Sequence, residues 1–503
     1  MSKRTTPLGK PEIMLDQHAS APLYRQLYQR LRGSILAGEL EAGTRLPSTR
    51  VLASTLGVSR TTTALAYELL QLEGYLESRV GDGTRVARLQ PEQVFQGGRN
   101  AQALGATDPW GTPPAVFAQR CQALIDMPYP EGFYGEQARR GTSLFLVGQP
   151  DVTCFPYETW ARLLARHARH SLQAVSCYQY VQGYLPLRQA IATHIGVTRG
   201  VHCSAEQIIL TTGGQGALDL VARVLLDPED AAWVEDPGYS GARGALLAAG
   251  AQPVTVPVDG QGLDVEAGRQ LGPAARLAIV TPSHQFPTGV TMSLSRRLAL
   301  LEWSRETGAW IVEDDYDSEY RFSGRPLEAL HGLDRAGRVL YIGTFSKILF
   351  PSLRLGYLVA PPELLTGLIA TQRLISVHLP LLEQLALADF MAQGYFARHI
   401  RTMRQLYKER RNALVDALAR ELGTRLEVTV PEAGMHLTVW LPKGMSAQAV
   451  ARRAAASGLH ILPISHFSPR SLQRDGLVLG FASASPQELR AGVHTLALAL
   501  QTC

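Results

Sequence analysis

Lys347 has the setting in this sequence that most favours chemistry, because it follows the apolar run VLYIGTF in VLYIGTFSKILFPSLRLGYL. A lysine directly after a buried strand is partly desolvated, which lowers the pKa of its ammonium group and frees the amine to attack an aldehyde. Most lysines face solvent, so its neighbours matter. Thr344 and Ser346 supply hydroxyls, and the guanidinium of Arg354 can bind a phosphate through two N–H groups. The segment therefore predicts a Schiff-base lysine beside a phosphate site.

Three carboxylates, Glu313, Asp314 and Asp315, follow a second apolar run in AWIVEDDYDSEYRF. An acidic cluster of this kind is usually a solvated loop. The cofactor pyridoxal 5'-phosphate (PLP), however, needs a carboxylate at its ring nitrogen to keep the pyridinium protonated, and a hydroxyl donor near its phenolic oxygen. Asp314 and Tyr316 have the side chains for these two contacts.

Two further motifs could complete such a site. LTTGGQGALDLVARVLL predicts a strand, a glycine turn and a helix, in which the backbone N–H groups of Gly214, Gln215 and Gly216 can approach a phosphate at the helix N-terminus. In WVEDPGYSGARG, Tyr239 follows a turn and can stack on an aromatic ring. Alone, the glycine turn is weak evidence, and packing in the core is the usual role of a tyrosine.

The elements that would position these residues are strands of one sheet. Past residue 140, short apolar runs alternate with longer amphipathic stretches, as in QIILTTG followed by GALDLVARVLL. This alternation predicts an α/β domain with a largely parallel sheet, whose ligand site lies at the carboxyl ends of its strands. Each polar cluster described above falls at such an end.

The first ninety residues predict a small helical domain. Apolar residues recur every four positions from Leu23 to Ile35, which predicts an amphipathic helix that Gly38 ends. Ser48 and Ser59 can cap a second and a third helix, separated by the short turn LGVS. Two short helices with a tight turn between them are typical of a helix-turn-helix. The following YLESRVGDGTRVA predicts a hairpin that would form a wing.

Charge is concentrated in this N-terminal segment. Residues 1–90 contain 12 Lys and Arg against 8 Asp and Glu, whereas the net charge of the whole chain is only +5. The basic excess suits an anionic partner for the segment, and a solvated basic face is the alternative.

At 503 residues the chain exceeds what one hydrophobic core usually organises. The stretch QPEQVFQGGRNAQALGATDPWGTPP is rich in Gly, Pro, Gln and Ala and has no apolar period, so it predicts a linker. We therefore expect an N-terminal domain of residues 1–88, a linker of residues 89–138 and a C-terminal domain of residues 139–503. A linker of this length can reach several tens of Å, far enough for the N-terminal domain to lie on a partner subunit.

Several classes of protein are disfavoured. The five cysteines are scattered without the spacing of a metal or disulfide framework, so we expect no bound metal and a reduced cytoplasmic location. No apolar run reaches the length of about 20 residues that would cross a bilayer, and no apolar segment follows the basic start as in a signal peptide. We expect no membrane partner.

The segment from Leu23 to Ala87 closely resembles the GntR family of winged helix-turn-helix domains, through PLYRQLYQRLRGSILAGEL, RLPSTRVLASTLGVSR, AYELLQLEGYL and GDGTRVA. Ala64 stands where some relatives carry a second arginine in the recognition helix, so their half-site does not transfer to this chain. The alternative is a helical domain whose arginines only form surface ion pairs. The resemblance implies DNA contacts by Arg50, Ser59, Arg60, Thr61, Thr62 and, in the wing, Gly81.

The segment from about Tyr178 to Ser485 resembles the class I and II aminotransferases of fold type I, which have a large and a small subdomain. The resemblance implies a two-fold dimer with shared active sites, in which Tyr178 reaches the phosphate of the other subunit. It assigns the Schiff base to Lys347, the pyridine nitrogen to Asp314 and the phenolic oxygen to Tyr316. It also implies phosphate contacts by Thr344 and Arg354, and ring stacking by Tyr239.

Two positions depart from the pattern of working aminotransferases. Phe286 stands where an asparagine usually contacts the phenolic oxygen, and His284 or Gln285 is expected to replace that contact. Val478 lies where a substrate-carboxylate arginine is expected, and it cannot form the bidentate pair. Arg470 or Arg474 in the preceding loop could compensate if the loop folds inward, although a solvated loop is favoured. Efficient transamination is therefore doubtful.

A GntR domain joined to an aminotransferase-like body, with TPSHQFPTG and VEDDYDSEY inside the body, resembles the MocR subfamily of regulators over nearly the entire chain. The resemblance implies a homodimeric, sequence-specific DNA-binding regulator that senses PLP itself, or an amine or amino-acid effector. Control of vitamin B6 or amino-compound metabolism fits this expectation. The alternative is an active aminotransferase with an appended DNA-binding domain. We expect a regulator and no enzyme, with at most a residual half-transamination.

Overall fold

The computed structural model describes residues 15–16, 19, 21–79, 83–88, 117–127, 144–171, 176–322, 324 and 327–501. The chain divides into two compact units, Met1–Val116 and Phe117–Cys503, called the head and the body below. The domain boundaries expected at residues 88 and 138 stay predictions.

The head is a three-helix unit with a hairpin. The turn between its second and third helices is short, as in a helix-turn-helix, and the two strands of the hairpin pair antiparallel, with Leu76 opposite Val86. Its elements are α1 (Leu23–Leu36), α2 (Thr49–Leu56), α3 (Arg60–Leu72), β1 (Leu76–Arg79) and β2 (Gly83–Val86).

Side-chain caps fix where the head helices begin. Ser59 Oγ accepts a hydrogen bond from the backbone N–H of Thr62 at 3.0 Å, and Ser48 Oγ caps α2 in the same way. Gly57 ends α2 with φ 65°, a conformation that glycine adopts at little cost. The buried Thr63 hydroxyl lies 2.9 Å from the carbonyl oxygen of Thr49, which ties α3 to α2. The apolar stripe of α1 consists of Leu27, Leu31 and Ile35. It packs in the core against side chains of the other elements, which include Leu52, Ala66, Leu70, Leu76 and Val86.

The large subdomain of the body is a sheet covered by helices. Its strands are β3 (Ile208–Thr211), β4 (Ala231–Asp236), β5 (Gln252–Asp259), β6 (Gly262–Leu263), β7 (Leu277–Val280), β8 (Trp310–Asp315), β9 (Val339–Thr344) and β10 (Gly356–Val359). The helices that precede the small subdomain are α4 (Gln119–Asp126), α5 (Tyr157–His170), α6 (Leu185–Arg199), α7 (Gly213–Leu225), α8 (Ser240–Ala249), α9 (Val265–Leu271), α10 (Leu294–Thr307), α11 (Leu330–Leu333), α12 (Leu365–Ser376) and α13 (Leu381–Ala392).

The strand order of this sheet is β3-β10-β9-β8-β7-β4-β5-β6. Strands β5, β4, β7, β8 and β9 run parallel, β10 is antiparallel to both of its neighbours, and β6 returns antiparallel to β5. The predicted α/β fold with a largely parallel sheet is confirmed. Since the parallel strands end at one edge, the loops that follow β4, β7, β8 and β9 can build a common site.

The small subdomain has an antiparallel sheet, ordered β11-β12-β14-β13. Its long helix α14 packs against α16, and α16 also contacts α15. None of the described helices is long and apolar enough to cross a membrane. The elements are α14 (Tyr395–Leu422), β11 (Glu427–Thr429), β12 (His436–Trp440), α15 (Ala447–Ala456), β13 (Leu462–Pro463), β14 (Gly476–Gly480) and α16 (Pro486–Gln501).

Helix α4 lies within residues 89–138, the interval expected to be a linker. It packs against α8 of the body, and Leu124 and Met127 are the side chains nearest to Gly244. The interval is therefore not irregular throughout, because these apolar side chains find a surface that the sequence pattern alone does not reveal.

Gly480 joins the small subdomain to the chain segment that precedes α5. Its N–H donates to the carbonyl of Phe145 at 3.1 Å, and a Cβ on Gly480 would lie only 1.9 Å from the carbonyl oxygen of Leu146. The close approach of these backbones requires glycine, and it fixes the path of the chain toward Gly148.

We expect Gly480→Ala to lower the free energy of unfolding of the body by about 3 kcal/mol, because the methyl group must displace backbone atoms. Urea denaturation of the full chain, followed by tryptophan fluorescence, measures the change. Gly260→Ala is the matched control, since a Cβ there meets nothing within 4 Å and its φ is not positive. Equal stability of the two variants would contradict the requirement at Gly480.

Candidate functional site

Lys347 lies three residues after β9, in the loop at the carboxyl end of the sheet. Its Nζ donates to the backbone carbonyl of Gly148 at 2.9 Å. Burial lowers the pKa of Lys347 to about 8, and Arg354 lowers it further, whereas Asp317 and Asp314 oppose the shift. Near neutral pH a substantial fraction of this amine is therefore neutral and nucleophilic, as the sequence predicts.

Asp314 lies in β8, the strand next to β9. Burial raises the pKa of its carboxyl group to about 7, and the neighbouring carboxylates Asp315, Glu235 and Asp317 raise it further. No hydrogen bond reaches this carboxyl group from the described residues. A cation placed beside it, such as a protonated pyridine nitrogen, would favour the charged carboxylate.

The glycine turn at the start of α7 provides a cradle for a phosphate. Gly213 has φ 79°, and a Cβ on it would lie 3.4 Å from a guanidinium nitrogen of Arg354. A Cβ on Gly214 would lie 3.9 Å from Asp314 Oδ1, so the turn borders the carboxyl group. The buried Ser346 Oγ has no hydrogen-bond partner among the described residues. An unsatisfied hydroxyl, backbone N–H groups and a guanidinium are the donors that a phosphate needs.

The other side chains of the cradle form hydrogen bonds within the protein. Arg354 Nη2 donates to the carbonyl of Thr212 at 2.8 Å, and Thr344 Oγ1 accepts from the backbone N–H of Ser346 at 3.2 Å. Tyr239 is bound to the same turn, because its hydroxyl lies 3.2 Å from Gln215 Oε1. The predicted ring-stacking residue and the predicted phosphate residues are thus next to each other.

Tyr316 and His284 form a buried network beside this cradle. The Tyr316 hydroxyl donates to the carbonyl of His284 at 2.9 Å, and His284 Nδ1 lies 3.1 Å from the carboxylate oxygens of Asp317. Burial and the surrounding carboxylates keep the pKa of Tyr316 well above its usual range, so its hydroxyl stays protonated. A protonated hydroxyl is the donor that a phenolate oxygen requires.

Gln285 is hydrogen-bonded within the protein, and its expected contact with the phenolic oxygen stays a prediction. Its amide nitrogen lies 3.1 Å from Glu235 Oε2 and 2.9 Å from the carbonyl oxygen of Pro237, and its Oε1 accepts from the N–H and hydroxyl of Thr288. These bonds use its hydrogen-bonding capacity inside the large subdomain. Of the two residues expected to replace the asparagine, His284 is the one left with an unpartnered buried atom, Nε2.

Sequence reasoning missed three residues of this network: Gly148, Asp317 and His436. His436 Nε2 lies 3.2 Å from the carbonyl oxygen of Pro287, and burial keeps the pKa of His436 well below its usual range. The signal for Asp317 is its position directly after Tyr316. Nothing in the sequence marks Gly148, whose role depends on its carbonyl alone.

Arg470 and Arg474 both have intramolecular partners. Arg470 Nε pairs with Asp236 Oδ2 at 2.8 Å, and the Arg470 side chain is still 42% exposed, so the expectation of a solvated loop holds for this side chain. Arg474 pairs with Glu427 and donates to the carbonyl of Leu441 at 3.0 Å. Val478 lies inside β14 and is fully buried, as expected for a strand residue.

Tyr178 is 87% exposed, and its ring packs edge-on against His378 at 5.9 Å. It is not brought to the cradle of its own chain. Its expected contact with the phosphate of a second subunit stays a prediction.

The residues at the sheet edge fit PLP, which the resemblance implies. The orphaned Ser346 hydroxyl and the glycine turn fit its phosphate, and the isolated, buried carboxyl of Asp314 fits its ring nitrogen. The partly neutral amine of Lys347 fits its aldehyde.

The head exposes most of the described residues that are predicted to contact DNA. Arg50, Ser59, Arg60 and Thr61 are exposed, at the starts of α2 and α3. Thr62 is half-buried, and its hydroxyl lies 2.8 Å from Ser59 Oγ, so it helps to hold the start of α3. Gly81 in the wing lies outside the described residues.

Comparison with known families matches both units. Residues 23–86 match the family described as bacterial regulatory proteins, gntR family, and residues 147–496 match the aminotransferase class I and II family.

Similar proteins include regulators and an aminotransferase. The chain is 44% identical to a probable rhizopine catabolism regulatory protein, MocR, of Rhizobium meliloti, over 96% of this chain and 95% of the relative. It is 30% identical to the pyridoxine biosynthesis transcriptional regulator PdxR of Corynebacterium glutamicum, over 95% and 96% of the two chains. The structure of the α-aminoadipate aminotransferase LysN of Thermus thermophilus aligns with a TM-score of 0.67 at 32% identity, over 74% of this chain and 97% of that one.

We expect Asp314→Asn to stabilise the cofactor-free protein increasingly with pH, while weakening PLP retention. A carboxyl group whose folded pKa is raised binds its proton more tightly in the folded state, so it costs stability as pH rises from about 4 to about 7. The asparagine removes that cost, and its gain should be about 2 kcal/mol larger at pH 8 than at pH 5.

Urea denaturation at both pH values measures this gain, with the exposed Asp416→Asn as control. A gain at Asp314 that does not change with pH would contradict the assignment.

Proposed function

Because the chain belongs to the family of HTH-type transcription regulators that join a gntR-type domain to an aminotransferase class I and II body, we propose that PLP bound at Lys347 controls its binding to DNA. The single observation that carries the proposal is the buried amine of Lys347, which has a lowered pKa and lies 2.9 Å from the Gly148 carbonyl oxygen, near the unpartnered hydroxyl of Ser346. The gntR-type head supplies the DNA-binding function.

In this proposal each residue of the body has a defined task. Bound PLP supplies an aldehyde carbon to which primary amines add. Asp314 holds the proton at the ring nitrogen, and Tyr316 donates to the phenolic oxygen, with His284 and Asp317 orienting it. The phosphate is held by the backbone of Gly214, Gln215 and Gly216, by the hydroxyls of Thr344 and Ser346, and by Arg354, while Tyr239 covers the ring.

In the head, the exposed arginines and hydroxyls at two helix starts meet the double-stranded operator. Arg60 at the start of α3 can contact phosphate or the O6 and N7 atoms of guanine, and Thr61 can contact phosphate or a thymine methyl. Arg50 at the start of α2 contacts the backbone of the duplex.

The effector is PLP itself or an amine compound that reaches the same pocket. Its differential affinity for two conformations of the regulator provides the free energy of control, and about 1.4 kcal/mol changes DNA affinity tenfold. Genes of vitamin B6 or amino-compound metabolism are the proposed targets, in keeping with the names of the two regulatory relatives. A regulator of this kind acts in the cytoplasm.

We also propose a homodimer with the two chains arranged head to tail. Several large apolar side chains near Tyr178 are exposed, including Tyr180 at 77% and Leu374 at 89%. The contact between Tyr178 and His378 joins this loop to the end of α12. A second copy would cover these side chains and bring Tyr178 to the partner's phosphate.

An active aminotransferase remains the second candidate, because the lysine, the carboxylate and the cradle are all present. Sustained amino transfer from a panel of amino acids to pyruvate or 2-oxoglutarate, at about 1 to 1000 per second, would favour it. A single half-reaction would not, since a sensor could perform one.

We expect Arg60→Ala to weaken binding to the operator by about tenfold or more. The slope of log affinity against log salt concentration should also become shallower by about one unit, which corresponds to the loss of one phosphate contact. Fluorescence anisotropy at several salt concentrations measures both quantities. Arg30→Ala on the exposed side of α1 is the matched control. Equal losses in the two variants would indicate a diffuse charge effect and not a specific contact.

We expect PLP to change the affinity of the wild-type protein for a DNA fragment upstream of its own gene by about tenfold. Lys347→Ala should lose both this response and the visible absorbance of the bound cofactor, whereas the exposed Lys408→Ala should keep them. Identical DNA affinity with and without PLP in the wild type would overturn the sensing function.

A further inference from the structure

One wall of the Lys347 pocket is apolar. Four buried side chains, Val147, Phe286, Phe467 and Val478, form a cluster against which Tyr239 and Tyr316 pack, with Ile464 behind them. Val147 directly precedes Gly148, the carbonyl partner of the Lys347 amine. The cluster therefore borders the position where a ligand of that amine must lie.

The ring of Phe286 occupies the centre of this wall. Its centroid lies 6.1 Å from the ring centroids of both Tyr239 and Tyr316, edge-on in each case, and 4.9 Å from that of Phe467. The ring thus fills the space between the two tyrosines that flank the proposed cofactor.

Phe286 is held in place from both sides. Gln285 before it is bonded to Glu235 and Thr288, and the carbonyl of Pro287 after it accepts from the Thr438 hydroxyl at 2.8 Å. The wall is therefore a fixed part of the pocket, shaped by the large and the small subdomain together.

Two arginines of the loop before β14 have acidic partners. Val478 pairs with Thr438 and Leu462 in the sheet, and its side chain is fully buried. Arg470 is paired with Asp236 and Arg474 with Glu427. Arg354 lies at the phosphate cradle, where it donates to the carbonyl of Thr212.

We propose that the effector of this pocket is a primary amine that carries no carboxylate, and that Phe286, Phe467 and Val478 determine this specificity. A carboxylate placed against Val147, Phe286, Phe467 and Val478 would lose water and gain no hydrogen bond from these four side chains, which is strongly unfavourable, whereas an uncharged substituent would pack there. We expect at least about 100-fold preference for an amine over the amino acid of the same side chain.

This inference rests on the proposed function, since the amine reaches the pocket through the aldehyde that Lys347 holds. The exchange would balance: the double bond from the former aldehyde carbon to the Lys347 nitrogen would be replaced by a double bond to the ligand nitrogen, and the two N–H protons of the neutral ligand amine would pass to the Lys347 nitrogen. No oxidant or reductant is required.

The test uses the full-length protein loaded with PLP and two matched pairs of ligands, 2-phenylethylamine with phenylalanine and 3-methylbutylamine with leucine. Isothermal calorimetry, the visible absorbance change and the affinity for operator DNA are measured for each. The expected result is the 100-fold preference for each amine and a change in DNA affinity with amines alone. Equal or tighter binding of the amino acids, or binding of neither member of a pair, would overturn the inference.

Variants of the wall provide a second measurement. Val478→Arg should reduce the preference for amines at least tenfold, while Val478→Leu should leave it unchanged. Because a buried arginine can prevent folding, Phe286→Asn, which places amide N–H donors in the wall, is tested in parallel and should act in the same direction. Folded, PLP-loaded variants with unchanged preference would contradict the role of the wall.

The two hypotheses fail in different ways. If the wild-type protein stays colourless with excess PLP, the proposed function is wrong. If the protein binds PLP and its affinity for DNA changes with PLP, but amines bind no more tightly than amino acids, the cofactor function stands. The specificity inference alone is then wrong.

Discussion

Asp314 lies in β8, and Lys347 follows β9, the neighbouring parallel strand. Burial disfavours the charged form of both side chains. The pKa of about 8 for Lys347 and of about 7 for Asp314 lie close to neutral pH, so both groups change protonation readily there. The neutral amine and the charged carboxylate are the forms that suit the two ends of the same cofactor. The site therefore depends on desolvation, which the sheet and its covering helices create. Binding of a cofactor with a pyridinium nitrogen would offset the cost at Asp314 by supplying the missing positive charge.

The pocket is closed by two subdomains that share backbone contacts. Gly480 of β14 brings the segment before Gly148 close to the small sheet, and Thr438 and His436 of β12 hold the carbonyl of Pro287. A ligand that contacts the wall at Phe286 therefore contacts a segment that both subdomains hold. Such a coupling is what a sensor needs, since an effector shifts an equilibrium only through contacts that differ between two states.

Phe286 and Val478 stand where aminotransferases are expected to have an asparagine and an arginine. These two differences change the chemistry of the pocket and leave Lys347 and Asp314 in place. The lysine, carboxyl and cradle of an aminotransferase site are retained, whereas the donors for a substrate carboxylate give way to apolar side chains.

The sequence by itself determined the two-unit architecture, the helix caps Ser48 and Ser59, the strand-end positions of Asp314 and Lys347, and the absence of an arginine at Val478, because these follow from local periodicity, capping and identity. Tertiary structure alone decided that Gln285 forms hydrogen bonds with Glu235 and Thr288, and that Arg470 pairs with Asp236. It also decided that α4 packs on α8, and that the Lys347 amine donates to the Gly148 carbonyl. These contacts join residues up to 234 positions apart, and no local pattern encodes which hydrogen bonds a buried side chain will satisfy.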